Sequence, residues 1–376
     1  MEPYVAPGFE RAAEIFRQQI GHRPGAGAAL SLMVDGAIMV DTWTGESSPG
    51  RSWEADTVCA IFSGGKGLIA ACVLELVQRG VFRLEDRIAS LWPEFAAHGK
   101  GSITIDDVMT HRAGLPAILE PTNLDEFLNH DLLAQRLADS EPFWPGKKVL
   151  AYHALTYGWI ADEIVRRVTG SSVAEYWRSN FAEPLGLESW FGVPDSVLDR
   201  VATVFTPSGR LDAMDIHGDD PRESARLGNP PLFIDPLPWN IPALQVASIP
   251  GAGAISSARS MARFYASMID RSTAPDGVWS PNTADLAATS RARGFDVFDG
   301  TEYSFSVGFQ TPSRGTSFGP ESSAFGHPGA GGSIHGAWPQ HNAGFSFVVN
   351  ELFDSDDAST RWITVLTALH DALTRA

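Results

Sequence analysis

The stretch that decides the fold is Cys59-Ala-Ile-Phe-Ser-Gly-Gly-Lys-Gly-Leu-Ile-Ala-Ala-Cys-Val-Leu-Glu-Leu-Val77. It places Ser63 and Lys66 in the spacing S-x-x-K, and an apolar run follows in which Glu75 is the only charged residue. Such a run predicts a helix that is buried on nearly all sides. Because residues three apart on a helix share a face, we expect the hydroxyl and the amine to lie side by side.

A serine beside a buried lysine can act as a nucleophile. Burial lowers the pKa of a lysine, and the neutral amine can then accept the proton of the serine hydroxyl. The start of a helix adds backbone N–H groups and a field that favours an oxyanion. Serine is also a common helix N-cap, so the S-x-x-K spacing needs support from elsewhere in the chain.

The composition limits the class of protein. The chain has 376 residues, 44% of them hydrophobic, which is enough for a large core and two interlocked lobes. The formal net charge of −17 argues against nucleic acid and anionic membrane surfaces as partners. Cys59 and Cys72 both lie in the apolar stretch and are expected to be buried, reduced thiols. We find no signal peptide, lipidation site or membrane-spanning segment, which favours a cytoplasmic protein.

The pattern of the chain ends predicts a sheet. Two β-prone runs, 28–34 and 37–44, are joined by Asp35-Gly36, a strong hairpin signal. The last third of the chain is also rich in β-prone runs, while the middle has mostly helical periodicity. We therefore predict an α/β fold with an antiparallel sheet built from both chain ends and flanked by helices, plus an inserted, mostly helical lobe.

The predicted lobes have definite boundaries. Residues 1–62 and 250–376 form the discontinuous α/β lobe, and residues 63–249 form the helical lobe. Within the latter, residues 205–250 are rich in proline, glycine and aspartate and predict a long loop. A loop of this length is either a lid or pocket wall, or a surface excursion.

Further motifs accompany the S-x-x-K pair. The stretch Trp144-Pro-Gly-Lys-Lys-Val-Leu-Ala-Tyr152-His-Ala leads into a helix, which places Tyr152 at a turn. The stretch Phe325-Gly-His327-Pro-Gly-Ala-Gly-Gly-Ser333 predicts a glycine-dense strand edge that another backbone or a substrate can approach closely. A glycine turn at Gly251 opens a late helix.

With these motifs the chain resembles the serine β-lactamase and penicillin-binding-protein-like hydrolases, and within them the class C β-lactamase-like (family VIII) carboxylesterases. The S-x-x-K, Tyr152 and His327-Pro-Gly motifs occur in the family's order. So do Met109-Thr-His-Arg-Ala-Gly-Leu-Pro, Glu183-Pro-Leu-Gly-Leu and the Gly251 stretch. The resemblance runs almost end to end and implies a β-lactamase/transpeptidase-like fold with the active site between the lobes.

The resemblance also implies roles for particular residues. Ser63 would be the acylated nucleophile, and Lys66 and Tyr152 would share the general-base and general-acid work. The backbone N–H groups of Ser63 and Ala330 would form the oxyanion hole.

His327, Gly329 and Ala154 would contact the substrate, and the chain departs from the family pattern there. The family's Tyr-x-Asn is Tyr152-His-Ala, so the amide that contacts a β-lactam side chain is missing at Ala154. The family's Lys-Thr-Gly is His327-Pro-Gly, which removes a permanent cation and a hydroxyl that hold a substrate carboxylate. Both departures weaken the case for a β-lactamase and leave acyl-enzyme chemistry intact.

We therefore expect a carboxylesterase that cleaves small to medium acyl esters without a metal or cofactor. The rival functions are a β-lactamase, a D-alanyl peptidase, and an acyltransferase or amide hydrolase on the same scaffold. A non-catalytic scaffold protein is a further rival. The spacing of His327, His335 and His341 fits no usual zinc site, and His111 is expected to be structural because it is distant from the catalytic motifs in sequence.

Overall fold

The computed structural model describes residues 2–20, 23–208, 211, 220–269, 279–315 and 317–375. The strands are β1 (Tyr4–Val5), β2 (Gly27–Val34), β3 (Ala37–Ser48), β4 (Arg51–Ser52), β5 (Cys59–Phe62), β6 (Ser189–Phe191), β7 (Ala254–Ser256), β8 (Ala292–Phe295), β9 (Glu302–Phe305), β10 (Phe325–Pro328), β11 (Ile334–Trp338) and β12 (Ala343–Val349). The helices are α1 (Glu10–Gln18), α2 (Gly65–Gln78), α3 (Ile88–Leu91), α4 (Ile105–Met109), α5 (Leu124–Phe127), α6 (His130–Asp139), α7 (Thr156–Thr169), α8 (Val173–Trp177), α9 (Glu183–Leu185), α10 (Pro221–Gly228), α11 (Pro242–Val246), α12 (Ala258–Ile269), α13 (Pro281–Ala288) and α14 (Ser355–Leu373).

An antiparallel sheet joins the two ends of the chain. Among the described residues, seven strands form this sheet in the order β1-β3-β2-β12-β11-β10, with β4 paired to β3. The predicted hairpin is confirmed: β2 and β3 are connected by Asp35 and Gly36, which both have positive φ angles (50° and 75°) as a tight hairpin turn requires. Because β2 pairs with β12, the predicted fold class is also confirmed.

Helices cover both faces of the sheet. Helix α1 packs against α14 and β3, and its Phe16 makes an edge-to-face contact with Phe347 of β12, with ring centroids 5.9 Å apart. Helix α12 packs against β12, β2 and β11. The assignment of residues 1–62, 63–249 and 250–376 to two lobes stays a prediction. No helix in the described part of the chain is long and apolar enough to cross a membrane.

The central helix α2 is buried as predicted. Every residue from Gly65 to Leu74 is buried, and Cys72 within it and Cys59 before it are both free thiols. Ser63 differs from the expectation in one respect, because it lies in the turn between β5 and α2 and not inside the helix. Its hydroxyl therefore does not cap α2, whose N-cap is Gly64.

Candidate active site

Ser63 follows a strained residue. Phe62, the last residue of β5, has a φ of +47°, a left-handed conformation that costs a non-glycine residue about 1–2 kcal/mol. Its ring packs against Phe233 and Trp239, with centroids 5.5 and 5.4 Å away. Both aromatic residues belong to the segment 205–250, so the described part of that segment packs against the residue that precedes Ser63. The described part of this segment is not one continuous loop, since it contains α10 and α11; residues 209–210 and 212–219 lie outside the described residues.

Lys66 lies beside Ser63 as predicted. Its Nζ is 3.0 Å from Ser63 Oγ, 2.7 Å from the carbonyl oxygen of Ala154 and 2.8 Å from that of Gly251. The side chain has no solvent exposure. Burial lowers the pKa of Lys66 to about 7, so at pH values above 7 most of the folded protein carries a neutral amine there.

The neighbours of Lys66 determine how its amine is oriented. A carbonyl oxygen can only accept a hydrogen bond, so each of the two carbonyls needs an N–H from Nζ. A neutral amine has two N–H groups and one lone pair. When Ala154 and Gly251 take the two N–H groups, the lone pair faces Ser63 Oγ. The amine is then oriented to accept the serine proton.

Two glycines bring these carbonyls together. A Cβ atom at Gly158 would lie 2.1 Å from the backbone nitrogen of Gly251, and one at Gly251 would lie 2.5 Å from the carbonyl oxygen of Leu155. Neither distance is possible for a side chain without moving the backbone. The start of α7 and the segment before β7 thus touch through backbone atoms alone, which places both acceptors around one amine.

Tyr152 lies over the same pair. The Lys66 Nζ is 5.0 Å from the centroid of the Tyr152 ring, which stacks on Tyr303 with centroids 5.6 Å apart. Burial raises the pKa of the Tyr152 phenol, and hydrogen bonding with the Ser63 side chain opposes that shift. The phenol is therefore neutral and keeps a proton to donate. The structure brings the three predicted catalytic side chains together.

Three consecutive amides hold Tyr152 in place. The N–H of Ala151 donates to the carbonyl oxygen of His111 (3.1 Å), that of Tyr152 to Asp296 Oδ2 (2.6 Å), and that of His153 to His111 Nδ1 (3.0 Å). The His111 ring also packs on the Tyr152 ring with centroids 4.6 Å apart. His111, which is distant from the catalytic motifs in sequence, therefore lies against Tyr152 in the fold. Neither the sequence position of His111 nor that of Asp296 indicates that these residues contact the backbone around Tyr152.

Asp296 is a buried carboxylate that needs a cation. Arg226 of α10 provides it: Nη1 is 3.1 Å from Asp296 Oδ2, and Nη2 is 3.0 Å from Asp299 Oδ2. The Arg226 side chain is 7% exposed and that of Asp296 is fully buried. Burial raises the pKa of Asp296, and Arg226 opposes that shift. The segment 205–250 is thus connected to the Tyr152 backbone through one carboxylate.

The predicted oxyanion hole lies where β5 and β10 end. A Cβ atom at Gly329 would lie 2.2 Å from the carbonyl oxygen of Ile61, so the close approach expected for this glycine-dense stretch occurs against the backbone of β5. The N–H groups of Ser63 and Ala330 donate to no acceptor in the described part of the chain. Both remain able to bind a substrate oxygen.

The predicted substrate-binding residues have different surroundings. His327 is buried and donates from Nδ1 to the carbonyl oxygen of Pro328 (2.8 Å), and its Nε2 has no hydrogen-bond partner among the described residues. Burial and the nearby Lys66 lower the pKa of His327 to about 3, so the ring is neutral at physiological pH. Ala154 is buried, and its polar contact is the carbonyl bond to Lys66.

Comparison with known proteins identifies the family. The family model described as Beta-lactamase matches residues 12–369. Together with the fold and the S-x-x-K geometry, this match shows that the chain belongs to the β-lactamase family, a family of hydrolases.

Individual relatives include proteins named as esterases. The esterase/beta-lactamase LipL of Mycobacterium tuberculosis is 30% identical over 357 residues, which cover 92% of this chain and 82% of that protein. A solved structure of a family VIII carboxylesterase superposes with a TM-score of 0.88 at 27% identity, covering 99% of this chain and 100% of the other. A penicillin-binding protein homologue from Caulobacter crescentus gives 0.87 at 28% identity, with the same coverage.

The neutral Lys66 predicts a pH dependence of stability. Its pKa is about 7 in the folded protein and about 10.5 ordinarily, so between these values the unfolded chain binds more protons and stability rises with pH. The gain is complete above pH 10.5 and is lost as the pH falls to about 7. Each pH unit within this window contributes roughly 1.4 kcal/mol.

Urea unfolding at pH 7.5 and 9.5 measures this effect. Relative to Lys66→Met, which lacks the titrating group, the wild-type protein should gain about 2–3 kcal/mol over that interval. Parallel changes in the two proteins would show that the folded-state pKa of Lys66 is not lowered.

Proposed function

We propose that the protein is a serine carboxylesterase that hydrolyses small to medium acyl esters through an acyl-enzyme on Ser63. The observation that carries the proposal is the Lys66 amine, which is buried, neutral above pH 7 and aimed at Ser63 Oγ by two carbonyl acceptors. Relatives with esterase names support this class of substrate.

The geometry supports a two-step route. In acylation, the Ser63 hydroxyl proton moves to Lys66 Nζ while Oγ bonds to the ester carbonyl carbon. The carbonyl oxygen becomes an oxyanion that accepts from the N–H groups of Ser63 and Ala330. Tyr152 then donates its proton to the leaving alcohol as the C–O bond breaks, and the Lys66 ammonium returns a proton to Tyr152. In deacylation, water attacks the acyl carbon by the same relay in reverse, and the acid leaves.

The substrate pocket favours neutral acyl groups. His327 is uncharged at physiological pH, and Pro328 has no hydroxyl to hold a substrate carboxylate. An ester with neither a carboxylate nor an amide side chain needs neither contact. The nearest rival, a β-lactamase, needs both.

The nucleophile is tested by labelling. A fluorophosphonate probe should increase the mass of the wild-type protein by that of one label. Ser63→Ala should abolish labelling and lower the turnover of p-nitrophenyl esters by roughly 10³-fold or more. Because the Ser63 hydroxyl caps no helix, the variant should unfold at nearly the wild-type temperature. A wild-type protein that does not label would favour a non-catalytic scaffold, and wild-type-like turnover in Ser63→Ala would exclude this nucleophile.

The proton relay is tested by a double-mutant cycle. Lys66→Ala and Tyr152→Phe should each lower kcat for ester hydrolysis by about 10²–10⁴-fold, the usual contribution of a positioned acid or base. Since the two groups share one proton path, the double variant should be little slower than the slower single variant. If the two losses multiplied fully, the groups would act independently and the relay would be incorrect.

The connection between Arg226 and Tyr152 is tested with a matched control. Arg226→Met leaves Asp296 without its cation. Because burial raises the pKa of this carboxyl and Arg226 no longer opposes the shift, the neutral acid is favoured and the Tyr152 N–H loses a charged acceptor. We expect kcat to fall about ten- to a hundredfold with little change in KM, because displacing a catalytic group is costly even over short distances.

Arg136→Met provides the control, since Arg136 is similarly enclosed (10% exposed) and paired with Glu120 and Glu126, which do not contact the Tyr152 segment. This variant should lose stability and keep its kcat. An equal loss of kcat in both variants would indicate a general effect on folding instead of a positioning role for Arg226.

Substrate preference separates the esterase from the β-lactamase. A missing polar contact costs about 1–3 kcal/mol, so lacking two should slow β-lactam acylation by roughly two to four orders of magnitude relative to a β-lactamase. We expect clear turnover of p-nitrophenyl esters and slow or absent turnover of nitrocefin.

Two substitutions test the cause of this preference. Pro328→Thr, alone and with Ala154→Asn, should move the ratio of the two rates toward nitrocefin. Ala154 is buried, so the unfolding temperature of the double variant is measured alongside. Nitrocefin turnover by the unmodified protein that equals its best ester would overturn the choice of esterase.

A further inference from the structure

Three potential metal ligands converge at the end of β11 that lies away from Ser63. They are Glu321 before β10, His341 in the turn between β11 and β12, and His370 in the last turn of α14. One ligand atom from each lies within 4.8 Å of the others. Glu321 Oε2 is 2.9 Å from His341 Nδ1, and the two imidazole centroids are 4.8 Å apart.

The surroundings hold this cluster in place. The Glu321 side chain is 1% exposed, and its Oε1 accepts from the backbone N–H of Gln340 (2.9 Å) and from the hydroxyl of Ser323. These bonds leave Oε2 facing the histidines. The His370 ring packs edge-on against Trp338, with centroids 5.4 Å apart. Supporting contacts of this kind orient the ligands in metal sites.

An ion pair explains only part of the cluster. Glu321 and His341 hydrogen-bond to each other, whereas the contacts of the His370 ring are with the Trp338 and His341 rings. The negative net charge of the chain also raises the local concentration of cations.

We propose that Glu321, His341 and His370 bind a zinc ion, with water in the remaining position. Two histidines and a glutamate form a common donor set for zinc, whereas magnesium prefers oxygen ligands alone. Tetrahedral bonds of the usual length place ligand atoms roughly 3.3 Å apart. The Glu321–His341 pair, 2.9 Å apart, therefore opens slightly and gives up its shared proton when the ion binds, while His370 moves inward. The ion would fasten α14 to the sheet, and its effect falls on stability because the site is separate from Ser63 and Lys66.

Calorimetric titration and thermal unfolding of the EDTA-treated protein test this site. One equivalent of ZnCl2 should bind, and zinc at about a hundredfold above its Kd should raise the Tm by roughly 2 °C or more, while MgCl2 should have no effect. His370→Ala and His341→Ala should each lose the zinc-dependent shift.

His98→Ala is the matched control, because His98 and Glu141 form a pair (3.8 Å) that has no third ligand among the residues that the structure describes. This variant should keep the full zinc response. Absence of zinc binding to the wild-type protein, or a zinc response that persists in His370→Ala, would overturn the proposal.

Discussion

The Lys66 amine lies between the carbonyl oxygens of Ala154 and Gly251, and the rest of the site depends on this arrangement. A buried ammonium without a counter-charge is costly, so burial favours the neutral amine. The two carbonyls then fix where its lone pair points. They can do so because Gly158 and Gly251 have no side chains to separate α7 from the segment before β7.

A second set of contacts holds Tyr152 against this amine. The backbone around Tyr152 is bound by His111 and Asp296, and Asp296 needs Arg226 to compensate its charge. Arg226 belongs to the same segment that supplies the aromatic wall behind Phe62. The segment 205–250 therefore contacts both the nucleophile side and the tyrosine side of the site, which argues against a mere surface excursion.

The sequence could predict what depends on local pattern. Asp35-Gly36 specifies a hairpin by turn chemistry, and the apolar run after Lys66 specifies a buried helix. The pairing of Ser63 with Lys66 follows from their spacing of three residues, even though Ser63 lies in the turn before the helix. The family motif around Tyr152 predicted that this residue belongs to the same site.

Contacts between distant segments could not be predicted in this way. Asp296 is 144 residues from Tyr152 in sequence, and no local pattern marks it as an acceptor for that amide. Arg226 and His111 are also recognised only by their neighbours in space. The same holds for the Glu321, His341 and His370 cluster, since even Glu321 and His341 are 20 residues apart in sequence. The neutral state of His327 likewise depends on burial that the motif does not reveal.

The central claim is that Lys66 acts as a neutral base, and the pH dependence of Ser63 acylation tests it most directly. Quenched-flow mixing with an activated ester, followed by intact-mass detection of the acyl-enzyme, gives the acylation rate constant at each pH. With a Lys66 pKa of about 7, the rate should fall about tenfold per pH unit below that value and level off above it. An acylation rate that is independent of pH between 5 and 9, or that rises as Lys66 becomes protonated, would contradict the account.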